Sequence, residues 1–146
     1  GCNDGSLLEF LTEEKDINGR GMEIDQQKVQ LCLSKGISVI EGDADLDLYD
    51  YPDSLFDYSI LTYTLQATKS PKNVLSELVR ISSKAIISFP NFCTINDFID
   101  LCDEVGIRIE KQANLKTNKL NKFNGKNLLN SYFNEVGLFL VSKIKN

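Results

Sequence analysis

The chain has no histidine and no tryptophan, one methionine and three prolines among its 146 residues. For the residues given, the missing histidine excludes Ser-His-Asp triads, Cys-His pairs and His-ligated metal sites. The cysteines, Cys2, Cys32, Cys93 and Cys102, form no C-x-x-C pair, and no signal peptide is visible. They read as free thiols in a reducing cytosol, packing as small apolar groups. No apolar run reaches the roughly 18 residues of a membrane span. Basic residues number 16 and acidic 21, and the net charge of −5 argues against a dedicated nucleic-acid binder. What is present is ordinary: 42% hydrophobic and 25% charged residues place the chain among globular domains, and the length suits one domain.

Elements of two kinds alternate along the chain. Ser6 is a candidate N-cap for a helix carrying Leu7, Leu8, Phe10 and Leu11. Residues 18–24 read as a strand with close-packed glycines. Asp25 caps a second helix with Val29, Leu31, Cys32 and Leu33, and Gly36 stands where a C′ glycine belongs. Strands follow at 37–40 and, buried, at 56–61. Pro71 opens a helix with Val74, Leu75, Leu78, Val79 and Ile81. Residues 85–89 form an apolar strand stopped by Pro90, and Thr94 caps a helix that Gly106 ends. Residues 107–110 alternate as a strand, and 138–141 form the last one. Between them, 111–134 holds five lysines, seven asparagines and no acid, a solvated loop with a short helix or else a face for an anionic partner. Strands alternating with helices of 10–13 residues give an α/β, Rossmann-like, mostly parallel sheet covered by helices on both faces. No full helical crossover of ordinary length joins the last two strands, so an antiparallel final strand is expected. Because the chain opens directly on a glycine turn, the strand that normally precedes such a turn is expected to be missing.

Three features fall at the ends of successive strands. The turn Gly1-Cys2-Asn3-Asp4-Gly5 precedes a helix, where glycines let a ligand approach backbone N–H groups. The dinucleotide pattern G-x-G-x-x-G fails at Asn3 and Ser6, whereas G-x-G-x-G deviates only at Asn3, a residue that tolerates the left-handed backbone. Glu23 stands 22 residues after Gly1, at the spacing from which a carboxylate accepts ribose hydroxyl protons. The competing reading makes Glu23 or Asp25 a helix cap. Gly42-Asp43-Ala44-Asp45 follows the third strand element, where Asp43 could accept from an adenine amino group and the Ala44 N–H could donate to the ring; a solvated acidic turn is the alternative. An EF-hand is excluded there, because Leu48 and Ser54 occupy the positions of its glycine and its final glutamate. One ligand explains three coincident features more economically than three accidents.

GCNDGSLLEFL, NGRGMEID, GDADLDL, FDYSILTYTLQAT and AIISFPNF together resemble the methionine-biosynthesis protein MetW family, over 1 to about 110, with an echo in NLLNSYFNEVGLFLVSK. The resemblance implies the class I S-adenosylmethionine-dependent methyltransferase fold, with a seven-stranded mostly parallel sheet. It further implies an S-adenosylmethionine or S-adenosylhomocysteine site: Gly1, Asn3 and Gly5 at the methionine moiety, Glu23 and Ile24 at the ribose, Asp43 and Ala44 at the adenine. Thr62, Tyr63 and Leu65 would line the methyl-transfer side. It implies a role in methionine biosynthesis beside the homoserine O-acyltransferase. Two departures stand out. Asn3 replaces a glycine of the family's GCGDG turn, and Phe92 joins Cys93 where the family carries a longer, histidine-containing segment. A single methyltransferase-like domain over 1–146 with a loop omitted between 92 and 93 is therefore expected. Two functional readings compete, a methyltransferase and a non-catalytic partner of the acyltransferase; a nicotinamide-dependent oxidoreductase is disfavoured by Asn3 and Ser6.

Overall fold

The computed structural model describes residues 1–90, 95–116, 119–122 and 136–144, without the side chains at 90, 95, 96, 114–116 and 119–122. The chain divides into two compact units, Gly1–Asp47 and Leu48–Asn146.

In the first unit, helix α1 (Ser6–Lys15), strand β1 (Gly21–Glu23), helix α2 (Gln26–Ser34) and strand β2 (Val39–Glu41) follow in order. β1 and β2 pair in parallel, Gly21 with Val39 and Glu23 with Glu41. The parallel pairing needs a crossover, and α2 supplies it. Asp25 caps α2 as expected, accepting the N–H groups of Gln27 and Lys28, and Gly36 takes the left-handed backbone that ends it (φ 75°). The expected Ser6 cap is corrected. Gly5, left-handed at φ 79°, is the N-cap of α1 and offers no side chain. Asp4 takes over that work, its carboxylate accepting the backbone N–H of Ser6 at 3.1 Å and its hydroxyl at 2.7 Å.

The second unit holds strands β3 (Phe56–Thr62), β4 (Ser82–Pro90), β5 (Ile107–Lys116), β6 (Lys119–Lys122) and β7 (Val136–Lys143), with helices α3 (Pro71–Ile81) and α4 (Ile95–Glu104). The sheet order is β3-β4-β7-β5-β6. β3 and β4 are parallel; β7 runs antiparallel to both β4 and β5, so β3, β4 and β5 share one direction. The antiparallel last strand is thus present, lodged between two strands rather than at an edge. Pro71 is the first residue of α3, whose Val74, Leu75, Leu78, Val79 and Ile81 are all buried. Phe89, Phe98 and Phe139 meet with ring centroids 4.8–5.2 Å apart, a geometry that adds to the area they bury. Gly106 is left-handed at the end of α4; the expected Thr94 cap lies outside the described residues.

Two expectations are corrected here. The 56–61 strand is not buried on both faces: Tyr58 and Ile60 are 55% and 41% exposed, and only Leu61 is buried. Its position at the end of its sheet gives it one neighbour, β4. The loop expected from 111 is a strand to Lys116, paired antiparallel with β6 and β7. Among the described residues no helix is long and apolar enough to cross a membrane.

Candidate functional site

The polar centre of the first unit is Glu23, the last residue of β1. Its side chain is 6% exposed. One carboxylate oxygen, Oε2, accepts the Asn3 N–H at 2.7 Å. The other, Oε1, accepts the N–H groups of Ile24 and Asp25, each at 3.1 Å. Burial opposes the charge, but the N–H bonds from Asp25 and Asn3, with Lys28 nearby, outweigh it and hold the carboxyl below the ordinary glutamate range. Glu23 is therefore an anion and an acceptor, and it ties the 1–5 turn to the end of β1.

The turn itself is built by backbone. The Cys2 N–H donates to the Met22 carbonyl at 2.8 Å, and the Gly5 N–H to the Cys2 carbonyl at 3.0 Å. Asn3 adopts φ 54°, the left-handed backbone that asparagine tolerates better than most residues, and its side chain is exposed. The glycines have protein reasons to be glycine. A Cβ on Gly1 would stand 2.3 Å from Glu23 Oε2. A Cβ on Gly5 would stand 2.5 Å from Ile37 Cδ1 and 3.0 Å from Cys32 Sγ.

The acidic turn after β2 joins the same place, the Gly42 N–H donating to the Glu23 carbonyl at 3.0 Å. Asp43 Oδ1 accepts the Asp45 N–H at 2.9 Å, and Asp47 Oδ2 accepts the Asp43 N–H at 2.7 Å. These bonds explain the D-x-D-x-D spacing as a self-capped turn, and no metal-holding cluster occurs among the described residues. Asp43 and Ala44 are half-buried, whereas Ile24 is 64% exposed.

Gly1, Asn3, Gly5, Glu23, Ile24, Asp43 and Ala44 thus converge on the ends of β1 and β2. Thr62 and Leu65 belong to the second unit. Thr62 ends β3 half-buried, its carbonyl accepting the Thr64 hydroxyl at 2.9 Å; Leu65 is buried at the start of a short 3-10 helix. Tyr63 between them is left-handed (φ 53°) and exposed. Two participants escaped the reading of the residues: Asp4, which caps α1, and Asp47, which holds the Asp43 backbone. An acid four residues beyond Asp43 was the signal for the second.

The family model described as "Methionine biosynthesis protein MetW" matches residues 1–93 and 91–141. A curated relative, the bifunctional methionine biosynthesis protein MetXA/MetW of Rhodopirellula baltica, is 36% identical over 100 residues, which is 63% of this chain and 16% of the relative. The chain thus spans about one sixth of that relative's length. Among solved structures, a SAM-dependent methyltransferase from Archaeoglobus fulgidus superposes with a TM-score of 0.74 at 18% identity, covering 98% of this chain and 83% of the other. The [4+2]-cyclase SpnF gives 0.77 at 12% identity, covering 100% and 74%.

Proposed function

From the premise that the chain belongs to the MetW family of methionine biosynthesis proteins and has the class I methyltransferase fold, we propose that it binds S-adenosylmethionine or S-adenosylhomocysteine. The rim of Gly1, Asn3, Gly5, Glu23, Ile24, Asp43 and Ala44 is the site of the proposal. The observation that carries it is the ionised Glu23 at the end of a parallel strand, beside a glycine turn that precedes a helix. Oε1 accepts two N–H groups and Oε2 one, and in this reading the carboxylate also accepts the ribose hydroxyls. Thr62 and Leu65 enter on the family resemblance alone.

Methyl transfer from a sulfonium asks little of side chains beyond binding, in-line orientation and exclusion of water. The fold alone does not decide for it, since a protein named as a cyclase shares it equally well. The second reading, a non-catalytic partner of homoserine O-acyltransferase, is favoured by the relative that carries MetXA and MetW in one bifunctional chain. A cytosolic setting belongs to both readings and agrees with the free thiols Cys2, Cys32 and Cys102. One domain with a segment omitted between 92 and 93 belongs to both readings as well; the family model matches in two segments, 1–93 and 91–141, that overlap at 91–93.

Calorimetric titration of the protein with S-adenosylmethionine and with NAD tests the proposal. Adenosylmethionine binding that Glu23→Ala abolishes, with none for NAD, supports it; equal binding to wild type and variant overturns it. Retention of the acyltransferase in a pull-down, with no methyl consumed across candidate acceptors, selects the second reading.

A further inference from the structure

Arg80, in the last turn of α3, spends all of its N–H groups. Nε and Nη2 donate to Glu77 Oε2 at 2.8 and 2.7 Å. Nη2 also donates to the Leu48 carbonyl at 3.1 Å. Nη1 donates to the Tyr51 carbonyl at 2.8 Å and to the Asp53 carboxylate. A guanidinium has no further donor, so none is left for a ligand. The Arg80 carbonyl accepts the Ser54 N–H at 2.8 Å. An Arg–Glu pair three apart on a helix surface needs only the bonds to Glu77 and no burial. Here Glu77 is 8% exposed, and the other bonds reach a segment 27 to 32 residues away.

That segment continues the acidic turn. A 3-10 helix runs over Asp47–Asp50; Arg80 grips its second residue, Leu48, and Tyr51 just past its end. Asp47 closes the turn on both sides of one residue. Its N–H donates to the Asp43 carbonyl at 2.8 Å, and its Oδ2 accepts the Asp43 N–H at 2.7 Å. Asp47 shares a peptide bond with Leu48, and Arg80 holds the Leu48 carbonyl.

We propose that Arg80 is a positioning residue for the Asp43–Ala44 end of the candidate site, acting through the 3-10 helix and the Asp47 carboxylate. The ligand side of this proposal rests on the adenosyl reading; the backbone side does not. Arg80 governs the placement of Asp43, the group assigned to the adenine amino group. It therefore bears on the choice of base, whereas the grip on ribose belongs to Glu23. A lysine cannot replace it, because its donors leave from one point and lack the planar fork that reaches separated acceptors. Coupling along such a chain of bonds is established only by an energetic measurement, and a double-mutant cycle supplies it.

The test is native-state hydrogen exchange of the full chain as Arg80→Gln, as Asp47→Ala and as the double variant. Arg80→Gln is expected to speed exchange at the Asp43 amide about tenfold, as release of a held donor should, while Gln27 and Lys28 at the α2 cap keep wild-type rates. In the Asp47→Ala background the same substitution is expected to add nothing at Asp43. An unchanged Asp43 rate, an equal rise at Gln27, or additive effects in the double variant overturns the proposal. Arg80→Lys is expected to behave as Arg80→Gln, and full protection in it overturns the role of the fork. Asp53→Ala, at a carboxylate 79% exposed, keeps the test decisive should the Arg80 variants not fold. It should raise the Asp43 rate about twofold, and no rise counts against the proposal. Calorimetry then compares S-adenosylhomocysteine with S-inosylhomocysteine, whose base carries an oxo group in place of the amino group. The preference for the adenine compound is expected to fall about tenfold in Arg80→Gln; equal losses for both compounds overturn the role in base choice. If neither compound binds the wild type, the adenosyl reading fails, and the Asp43 exchange still decides whether Arg80 positions the turn.

Discussion

Gly1–Asp47 and Leu48–Asn146 are stabilised by different means. Among the described residues, the second unit buries sixteen apolar side chains, from Leu48 to Val141, and gathers three phenylalanine rings, of which Phe89 and Phe139 stack. The first buries Val29 and Cys32, and α1 buries none of its residues. What holds the first unit is polar: three N–H bonds to Glu23, the Asp25 cap and the Asp43–Asp47 turn. Ligand-binding segments are drawn from the less stable parts of a fold, and the unit carrying the candidate rim has that character. Apolar packing makes a platform that tolerates little change, whereas backbone donors gathered on one carboxylate make a turn that depends on charge.

The largest break in this contrast is expected from Phe139→Ala, at a fully buried ring in the centre of the second sheet. It should cost about 3–5 kcal/mol in urea unfolding, and a cost under 1 kcal/mol would mean that the three-ring cluster is not the core. Glu23→Gln comes next. It leaves at least one N–H short of a charged acceptor and should destabilise by about 1.5–3 kcal/mol, with hydrogen exchange rising first at the amides of Asn3, Ile24 and Asp25.

The same carboxylate gives a pH signature. Its folded pKa lies below the unfolded value, so its stabilisation is complete above an ordinary glutamate value of about 4.3 and is lost as the pH falls through the folded value. Wild-type exchange protection at Asn3 should therefore collapse on acidification, while Glu23→Gln stays flat across that window; parallel curves would remove Glu23 from the account. Asp25→Ala should cost about 1 kcal/mol through loss of the α2 cap, read as increased exchange at Gln27 and Lys28. The smallest effect belongs to Asn3→Gly. It relieves a left-handed backbone by a few tenths of a kcal/mol and, if the turn touches the adenosyl ligand, tightens binding. Unchanged affinity would separate the turn from the ligand.

Local chemistry was the legible part. Asp25, Gly36, Pro71 and Gly106 each announce a cap or a turn through their own backbone preferences, and each stands where that preference says. The rim residues were legible as strand-end positions, because strand, turn and spacing are properties of neighbouring residues. Glu23's bond to Asn3 crosses twenty residues, and the Cys32 thiol's bond to the Asn3 carbonyl crosses twenty-nine, so neither has a local signature. The exposure of Tyr58 and Ile60 was hidden for the same reason, since whether an apolar strand is covered depends on its neighbours in the sheet. The β5–β6 pairing hid behind lysine and asparagine, poor strand formers held in register by a ladder.

The place of β7 has a consequence for how the second unit comes into being. The strand lies between β4 and β5, so while a ribosome has yet to reach residue 136, both neighbours wait with bare N–H and C=O edges. Such edges are templates for aggregation. The nascent sheet therefore calls for chaperone shelter until β7 is translated, and a stop codon placed at residue 136 should yield inclusion bodies rather than a merely shorter protein.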